Sequence, residues 1–234
     1  MRFDLTGFFD KTVDFLATLL PGLFLVFFAS AYWVGAFAPL DLDNGYVLLV
    51  VAYFLGHLVF VVARLLDRVY DKLRNASTWG QIRFRLARGK ARVHPILRKV
   101  SGILFGRHPD YAVILAERLK AMYLGRYDAE FAMNAYQWSK LQLMKHNPDS
   151  LQIVRGHEMQ SKLMRSTAFV FALLGVMVLS AGTDELADHP HQLQLVLAFS
   201  ILALLSFYGY LIDRFKATQR AFWGVIDLFA ENGR

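Results

Sequence analysis

Four stretches free of Asp, Glu, Lys and Arg set the limits on what this chain can fold into. They lie between Asp14 and Asp41, Asp43 and Arg64, Arg165 and Asp184, and Asp188 and Asp213, and are 26, 20, 18 and 24 residues long. Each is close to the roughly 20 apolar residues that cross the hydrocarbon core of a bilayer. The connectors within the two pairs, Pro39 to Asn44 and Gly182 to His191, hold five acids and no Lys or Arg. The segment between the second and third stretches, Arg64 to Arg165, holds 20 of the 26 basic residues. Positive charge stays on the cytoplasmic side during insertion. The expected topology is four spans in two hairpins in the inner (plasma) membrane, with both termini and the middle segment cytoplasmic.

This reading gives an all-α membrane protein in four parts. Residues 1–63 hold an N-terminal segment and the first hairpin, 64–165 a basic helical cytoplasmic domain, 166–212 the second hairpin, and 213–234 a cytoplasmic helical tail. Hydrophobic residues make up 56% of the chain, and the excess over an ordinary soluble domain sits in the four stretches. There is no cysteine, which excludes disulfides, thiolate metal sites, iron–sulfur clusters and cysteine nucleophiles. The net charge of +7 is uneven: the middle segment carries 20 basic and 8 acidic residues, so an anionic partner is expected on the cytoplasmic side. Asp4, Asp10 and Asp14 dilute the N-terminal positive charge, so the start of the chain reads as an uncleaved first span preceded by an interfacial segment, Phe3 to Phe15.

Along the chain, span one (Phe15 to Ala38) carries Pro21-Gly22, where a kink is expected. Span two (Tyr46 to Ala63) continues as helix, because Leu65, Leu66, Val69, Tyr70 and Leu73 recur at helical spacing among charged residues. From Lys72 to Pro109 there are ten basic residues and no acid; two short helices parted by Gly89 and Pro95 are expected, with a strand at Arg83 to Arg88 as the alternative. Asp110 to Met122 reads as helix ending at a Gly125 turn, and Tyr127 to His146 as helix stopped by Asn147-Pro148. A further helix from Asp149 or Ser150 enters span three (Ser166 to Ala181). Span four (Leu193 to Ile212) runs on into the tail, where Phe215, Phe222, Val225, Ile226 and Phe229 keep helical spacing and suit packing against the extension of span two.

Candidate functional residues are few. His57 is the one strongly ionisable side chain well inside a span, a position that marks functional groups because ionisable side chains are costly there. The competing reading is a neutral imidazole bonded to Tyr53, Tyr208 or Tyr210. Three pairs have the small-xxx-small spacing that lets helices approach closely, within one chain or between copies: Ala31 with Gly35, Ala52 with Gly56, and Ala168 with Ala172. Arg83, Arg85, Arg88, Lys90, Arg92, Arg98, Lys99 and Arg107 fall within one acid-free run. Each basic residue near an anionic leaflet is worth about 1 kcal/mol, so membrane lipids are the first expected partner and a nucleotide or nucleic acid the second. His157-Glu158 and Arg107-His108-Pro109-Asp110 fit no catalytic or metal template. His157, Glu158, Lys162 and Arg165 are spaced for ion pairs. His189 and His191 read as solvated loop residues.

Walker loops, dinucleotide fingerprints, nucleophile elbows and aspartate clusters are missing, and no cofactor or metal is expected. In its arrangement of two hairpins around a basic insert, the chain resembles bacterial four-span membrane sensor and effector proteins of phage-defence and stress systems. The resemblance covers architecture alone and implies membrane perturbation or partner recruitment on infection. The leading reading is a non-enzymatic, homo-oligomeric membrane protein whose cytoplasmic domain receives a protein or nucleotide signal and whose spans transmit it or act on it at the membrane. One alternative is a small oligomeric channel or transporter subunit, with Ser30, Tyr53, His57, Ser200, Ser206 or Tyr208 facing the path. Another is a membrane enzyme holding lipid phosphates with the Arg83 to Arg107 run, which the lack of nearby carboxylates for a metal disfavours.

Overall fold

A computed structural model describes residues 15–28, 45–76, 111–125, 133–181 and 190–232. Among these residues the regular structure is all helix. The elements are α1 (Phe15–Phe28), α2 (Gly45–Ala63), α3 (Leu65–Ala76), α4 (Tyr111–Leu124), α5 (Ala135–His146), α6 (Pro148–Ala181) and α7 (Pro190–Asn232). Three helical runs are long and apolar enough to cross a membrane: Gly45–Arg74, Pro148–Ser180 and His191–Ala230, of 30, 33 and 40 residues. They are compatible with a multi-pass membrane protein. The apolar helix α1 is shorter over its described part. The Arg83 to Arg107 run with its helix and strand readings, Ser30 and His189 lie outside the described residues, as does the segment Phe3 to Asp14. Ala31 and Gly35, expected as a helix-packing pair of span one, lie outside them too.

Local chemistry accounts for the helix ends. Gly125, with φ 72°, follows α4 in the left-handed region that costs glycine least. Helix α5 begins at Ala135 rather than near Tyr127, because Asn134 adopts extended backbone and its Oδ1 accepts from the Gln137 N–H at 2.8 Å. Asn134 with Gln137 three residues on has the spacing of an N-terminal cap, which a reading from the Gly125 turn to the Asn147-Pro148 stop passes over. Asn147 then serves two helices. Its N–H donates to the Leu143 carbonyl at 2.8 Å, closing α5, and its Oδ1 accepts from the Ser150 N–H at 3.1 Å, opening α6. Pro148 occupies the first position of α6, where its missing N–H costs nothing. At Arg64 the helix tightens for one turn: Arg64 N–H donates to the Val61 carbonyl at 3.3 Å and Asp67 N–H to the Arg64 carbonyl at 3.0 Å.

The described residues divide into two compact units. One takes those of Met1–Asp67 and Met159–Tyr210. Its core joins Val59 of α2, Val170, Leu174 and Val178 of α6, and Phe199 of α7, with Leu25 and Phe28 of α1 against them. Aromatic rings link the helices: Phe28 meets Phe199 edge-on at 5.3 Å, and Phe171 lies 6.2 Å from Phe199 and 5.9 Å from Phe24. Helices α1 and α2 cross backbone to backbone. A Cβ on Gly22 would strike the Ala52 carbonyl, and one on Gly56 would strike the Thr18 carbonyl. The pair Ala52 and Gly56 therefore meets a second pair, Thr18 and Gly22, within the same chain, with Pro21 fully buried beside it. Of the pair in α6, Ala168 is buried and Ala172 is exposed. Val47, Val50, Phe54, Leu58 and Val61 of α2 and Leu193, Leu197, Leu204 and Leu205 of α7 point outward. Helices apolar on both inner and outer faces suit a lipid surrounding.

The other unit takes the described residues of Arg68–Glu158 and Leu211–Arg234. The tail of α7 forms its centre. Phe222 packs with Ala112, Val113 and Ala116 of α4 and with Ala135, while Ala221 and Val225 pack with Trp138 and Leu143 of α5 and with Leu151 and Val154 of α6. The Trp138 ring stacks on Phe229 at 5.9 Å. The expected helical continuation of span four is present, and its apolar side is buried mainly by α4, α5 and the start of α6. Lys120 is buried and donates to the Met133 carbonyl at 2.8 Å, tying α4 to the entry of α5.

Glycine substitutions separate close packing from open surface. Gly56→Ala must push α1 and α2 apart and is expected to cost about 3 kcal/mol, an overpacking penalty at backbone. Gly156→Ala, in α6 where nothing lies within 4 Å of the added carbon, is expected to gain about 0.5–1 kcal/mol from helix propensity. Thermal midpoints of the two variants in one detergent should move in opposite directions.

Candidate functional site

Two buried polar clusters stand out, one in each unit. In the first, Asp67 accepts from two helices at once. Arg165 Nη1 of α6 donates to Asp67 Oδ2 at 2.5 Å, and the Tyr210 hydroxyl of α7 donates to Asp67 Oδ1 at 2.6 Å. Arg165 is 6% exposed and Tyr210 1%, whereas the Asp67 side chain remains 36% exposed. The guanidinium of Arg165 also faces the Phe60 ring at 5.0 Å, and that of Arg64 faces the same ring at 5.3 Å. Nε of Arg165 is buried without an acceptor, and so is the hydroxyl of the next residue, Ser166. Chemically the cluster is a clamp: one carboxylate, with both oxygens engaged, joins the start of α3 to α6 and α7.

The second cluster gathers on Glu158 of α6. Its carboxylate accepts from Lys140 Nζ of α5 at 2.8 Å through both oxygens and from the Tyr136 hydroxyl at 2.7 Å, and Arg214 Nη1 of α7 lies 4.0 Å away. The cations of Lys140 and Arg214 also sit 5.4 and 5.6 Å from the centre of the Tyr136 ring. Beside it, His157 Nδ1 is 3.4 Å from Asp213 Oδ1. Burial by itself would raise the Glu158 carboxyl. The hydrogen bonds from Lys140 and Tyr136 and the charges of Lys140 and Arg214 outweigh it and hold the carboxyl below the usual glutamate range. Burial, then the Glu158 charge and the bond to it, push the Tyr136 hydroxyl well above its ordinary value, so it stays a donor. Burial likewise raises the Tyr70 hydroxyl, partly offset by Arg74 and by a hydrogen bond with Thr218.

The positions singled out by sequence fall differently. Tyr53 and His57 come together on α2: His57 Nε2 lies 3.0 Å from the Tyr53 hydroxyl and the rings meet edge-on at 4.8 Å. Tyr53 stacks in turn on Phe15 at 5.4 Å. Of the three tyrosines considered for His57, the bond is to Tyr53; Tyr210 serves Asp67, and Tyr208 is exposed on α7. His157, Glu158 and Arg165 do form ion-pair contacts, and these cross to other helices, with Asp213, Lys140 and Asp67. Of the expected packing residues, Ala52 and Gly56 make a close backbone contact, whereas Ala31 and Gly35 are outside the described residues. The basic positions Arg83, Arg85, Arg88, Lys90, Arg92, Arg98, Lys99 and Arg107 are outside them as well. Among the described residues no group of three His, Cys, Asp or Glu side chains is placed to hold a metal. Sequence reasoning does not single out the Asp67 clamp; its one sequence signal is that Asp67 and Arg165 sit close to the ends of uncharged stretches. Comparison of the chain with known protein families, characterised proteins and solved structures returns no match.

Two tests follow from these contacts. Tyr210→Phe removes a donor to a charged group and is expected to cost about 1.5–3 kcal/mol. In an Asp67→Ala background the same change should cost much less, and a double-mutant cycle on thermal stability reads the coupling. Glu158 has its folded-state carboxyl below the ordinary 4.5, so its contribution is complete above that value and is lost as pH falls through the lower folded value. Glu158→Gln is therefore expected to destabilise the chain by about 1–3 kcal/mol at pH 7, with the gap from wild type closing under acid.

Proposed function

We propose that the chain is a non-enzymatic, four-span protein of the inner (plasma) membrane, with both termini and a helical domain inserted between spans two and three in the cytoplasm. It acts as a homo-oligomer. The basic insert rests on anionic lipid and receives a protein or nucleotide partner, and the spans transmit that signal or perturb the membrane, as in phage-defence effectors. The observation that carries this reading is the way charge and packing divide along the helices. Between Gly45 and Ala63, Ser166 and Ala181, and Pro190 and Ile212 no side chain is charged, and large apolar side chains face outward from these segments. Beyond Arg64, before Arg165 and after Ile212 the same helical runs carry ion pairs and bury amphipathic faces. The clusters on Asp67 and Glu158 engage their carboxylates fully with Arg, Lys and Tyr donors, which favours a structural role over catalysis.

The absence of cysteine makes the topology directly testable. With single cysteines at Ser77 and at Thr183, a membrane-impermeant maleimide applied to intact cells is expected to label Thr183→Cys alone. Ser77→Cys should react once the cytoplasmic face is opened. Labelling of Ser77→Cys in intact cells would reverse the orientation, and equal labelling of both would remove the span between them.

A further inference from the structure

Arg64 and Arg165 are 101 positions apart, yet they are the same kind of residue in the sequence: the first charge beyond one uncharged stretch and the last charge before the next. Both are placed against one side chain. Their guanidinium carbons lie 5.3 and 5.0 Å from the centre of the Phe60 ring, one turn back from Arg64 in α2. Where uncharged helix ends, a bilayer presents its phosphates, and the two arginines that mark those ends converge there.

The charge balance of this convergence favours an anion. Asp67 is the carboxylate at hand, and both of its oxygens are already engaged, by Arg165 and by Tyr210. It offsets the charge of Arg165 and leaves that of Arg64. Arg64 is exposed and makes no ion pair among the described residues, and its planar guanidinium suits recognition of phosphate oxygens. Arg165, 6% exposed, is held against the ring by Asp67, and its Nε still lacks an acceptor. A reachable cation, Arg64, therefore lies against an aromatic ring that a buried, paired arginine also contacts. A lipid fits both parts: its phosphate meets the arginine and its glycerol and first methylenes meet the ring.

We propose that Arg64, Phe60 and Arg165 form a binding site for the phosphate of an anionic phospholipid headgroup. Arg64 is the contacting residue. Phe60 is the wall, and Arg165, its charge offset by Asp67, positions the ring. The proposal rests on reading α2 and α6 as membrane spans, and it places an anion site at residues outside the Arg83 to Arg107 run.

The test uses the full chain in a mild detergent, titrated with dioleoylphosphatidylglycerol or dioleoylphosphatidylcholine and read by native mass spectrometry. One phosphatidylglycerol is expected to be retained ahead of all others, and phosphatidylcholine is not. Arg64→Gln should weaken that first binding about fivefold, in line with the worth of one basic residue near a phosphate surface. Phe60→Leu should weaken it less. Arg68→Gln, an exposed arginine on α3, should leave it unchanged while the thermal midpoints of all three variants stay near wild type. Equal retention of the two lipids, or no effect of Arg64→Gln, overturns the site. Displacement of the retained lipid by millimolar inorganic phosphate overturns the lipid as its ligand. The labelling of Ser77→Cys and Thr183→Cys reads the α6 span, and Asn44→Cys with Ser77→Cys reads that of α2, neither involving Arg64, so failure of the topology and failure of the site are distinguishable.

Discussion

A charged side chain is expensive in hydrocarbon, and much of what this chain does with its charges follows from that cost. Three helical runs cover 30, 33 and 40 residues, far more than the roughly 20 a bilayer needs, and their charges are confined to the parts beyond the uncharged segments. With those segments in a bilayer, as proposed, the hydrophobic effect cannot select partners inside them, because lipid is as apolar as leucine. Contact there is made by shape. Gly22 and Gly56 let two backbones touch, and Phe24, Phe28, Phe171 and Phe199 fill the space among α1, α6 and α7. Polar selection returns where the charges return, at Asp67 with Arg165 and at Glu158 with Lys140.

The Asp67 clamp shows how a polar contact can be specific where packing is not. Leucine can slide past leucine at little cost, but Asp67 has to meet Arg165 and Tyr210 together, one oxygen each. Removing one partner of a buried pair leaves the other uncompensated, which costs far more than the intact pair contributes. The clamp is thus a poor source of net stability, but it is a contact that only one pairing of Asp67 with Arg165 and Tyr210 satisfies.

What the sequence reveals follows from which interactions are local. The uncharged helices are legible because the cost of charge acts on each residue separately. The boundary at Asn147-Pro148 is legible because a cap and a proline act within four residues. The start of α5 at Ala135 is within reach of the same reasoning through Asn134 and Gln137, yet a reading from the Gly125 turn to the Asn147-Pro148 stop passes over that cap. The clamp is of another kind. Asp67 is 98 residues from Arg165 and 143 from Tyr210, and no spacing rule connects them. Likewise, helical spacing along α6 brings Glu158 near Lys162 in sequence, while the choice of Lys140 and Tyr136 depends on how α5 lies against it.

The small-residue pairs carry the argument about self-association one step further. From sequence, Ala52 with Gly56 serves equally well within a chain or between copies. In the fold its backbone is already taken, since Thr18 and Gly22 lie against it and a Cβ at Gly56 has no room. A second copy cannot use that surface without displacing α1. What α2 offers outward is Val47, Val50, Phe54, Leu58 and Val61, with the exposed His57 bonded to Tyr53 beside them. That face is bulky and bears one polar pair, so an oligomer built on it would rest on side-chain fit and a hydrogen bond, not on close backbone approach. Dependence on His57 but not on Ala52 is the signature such an interface would leave.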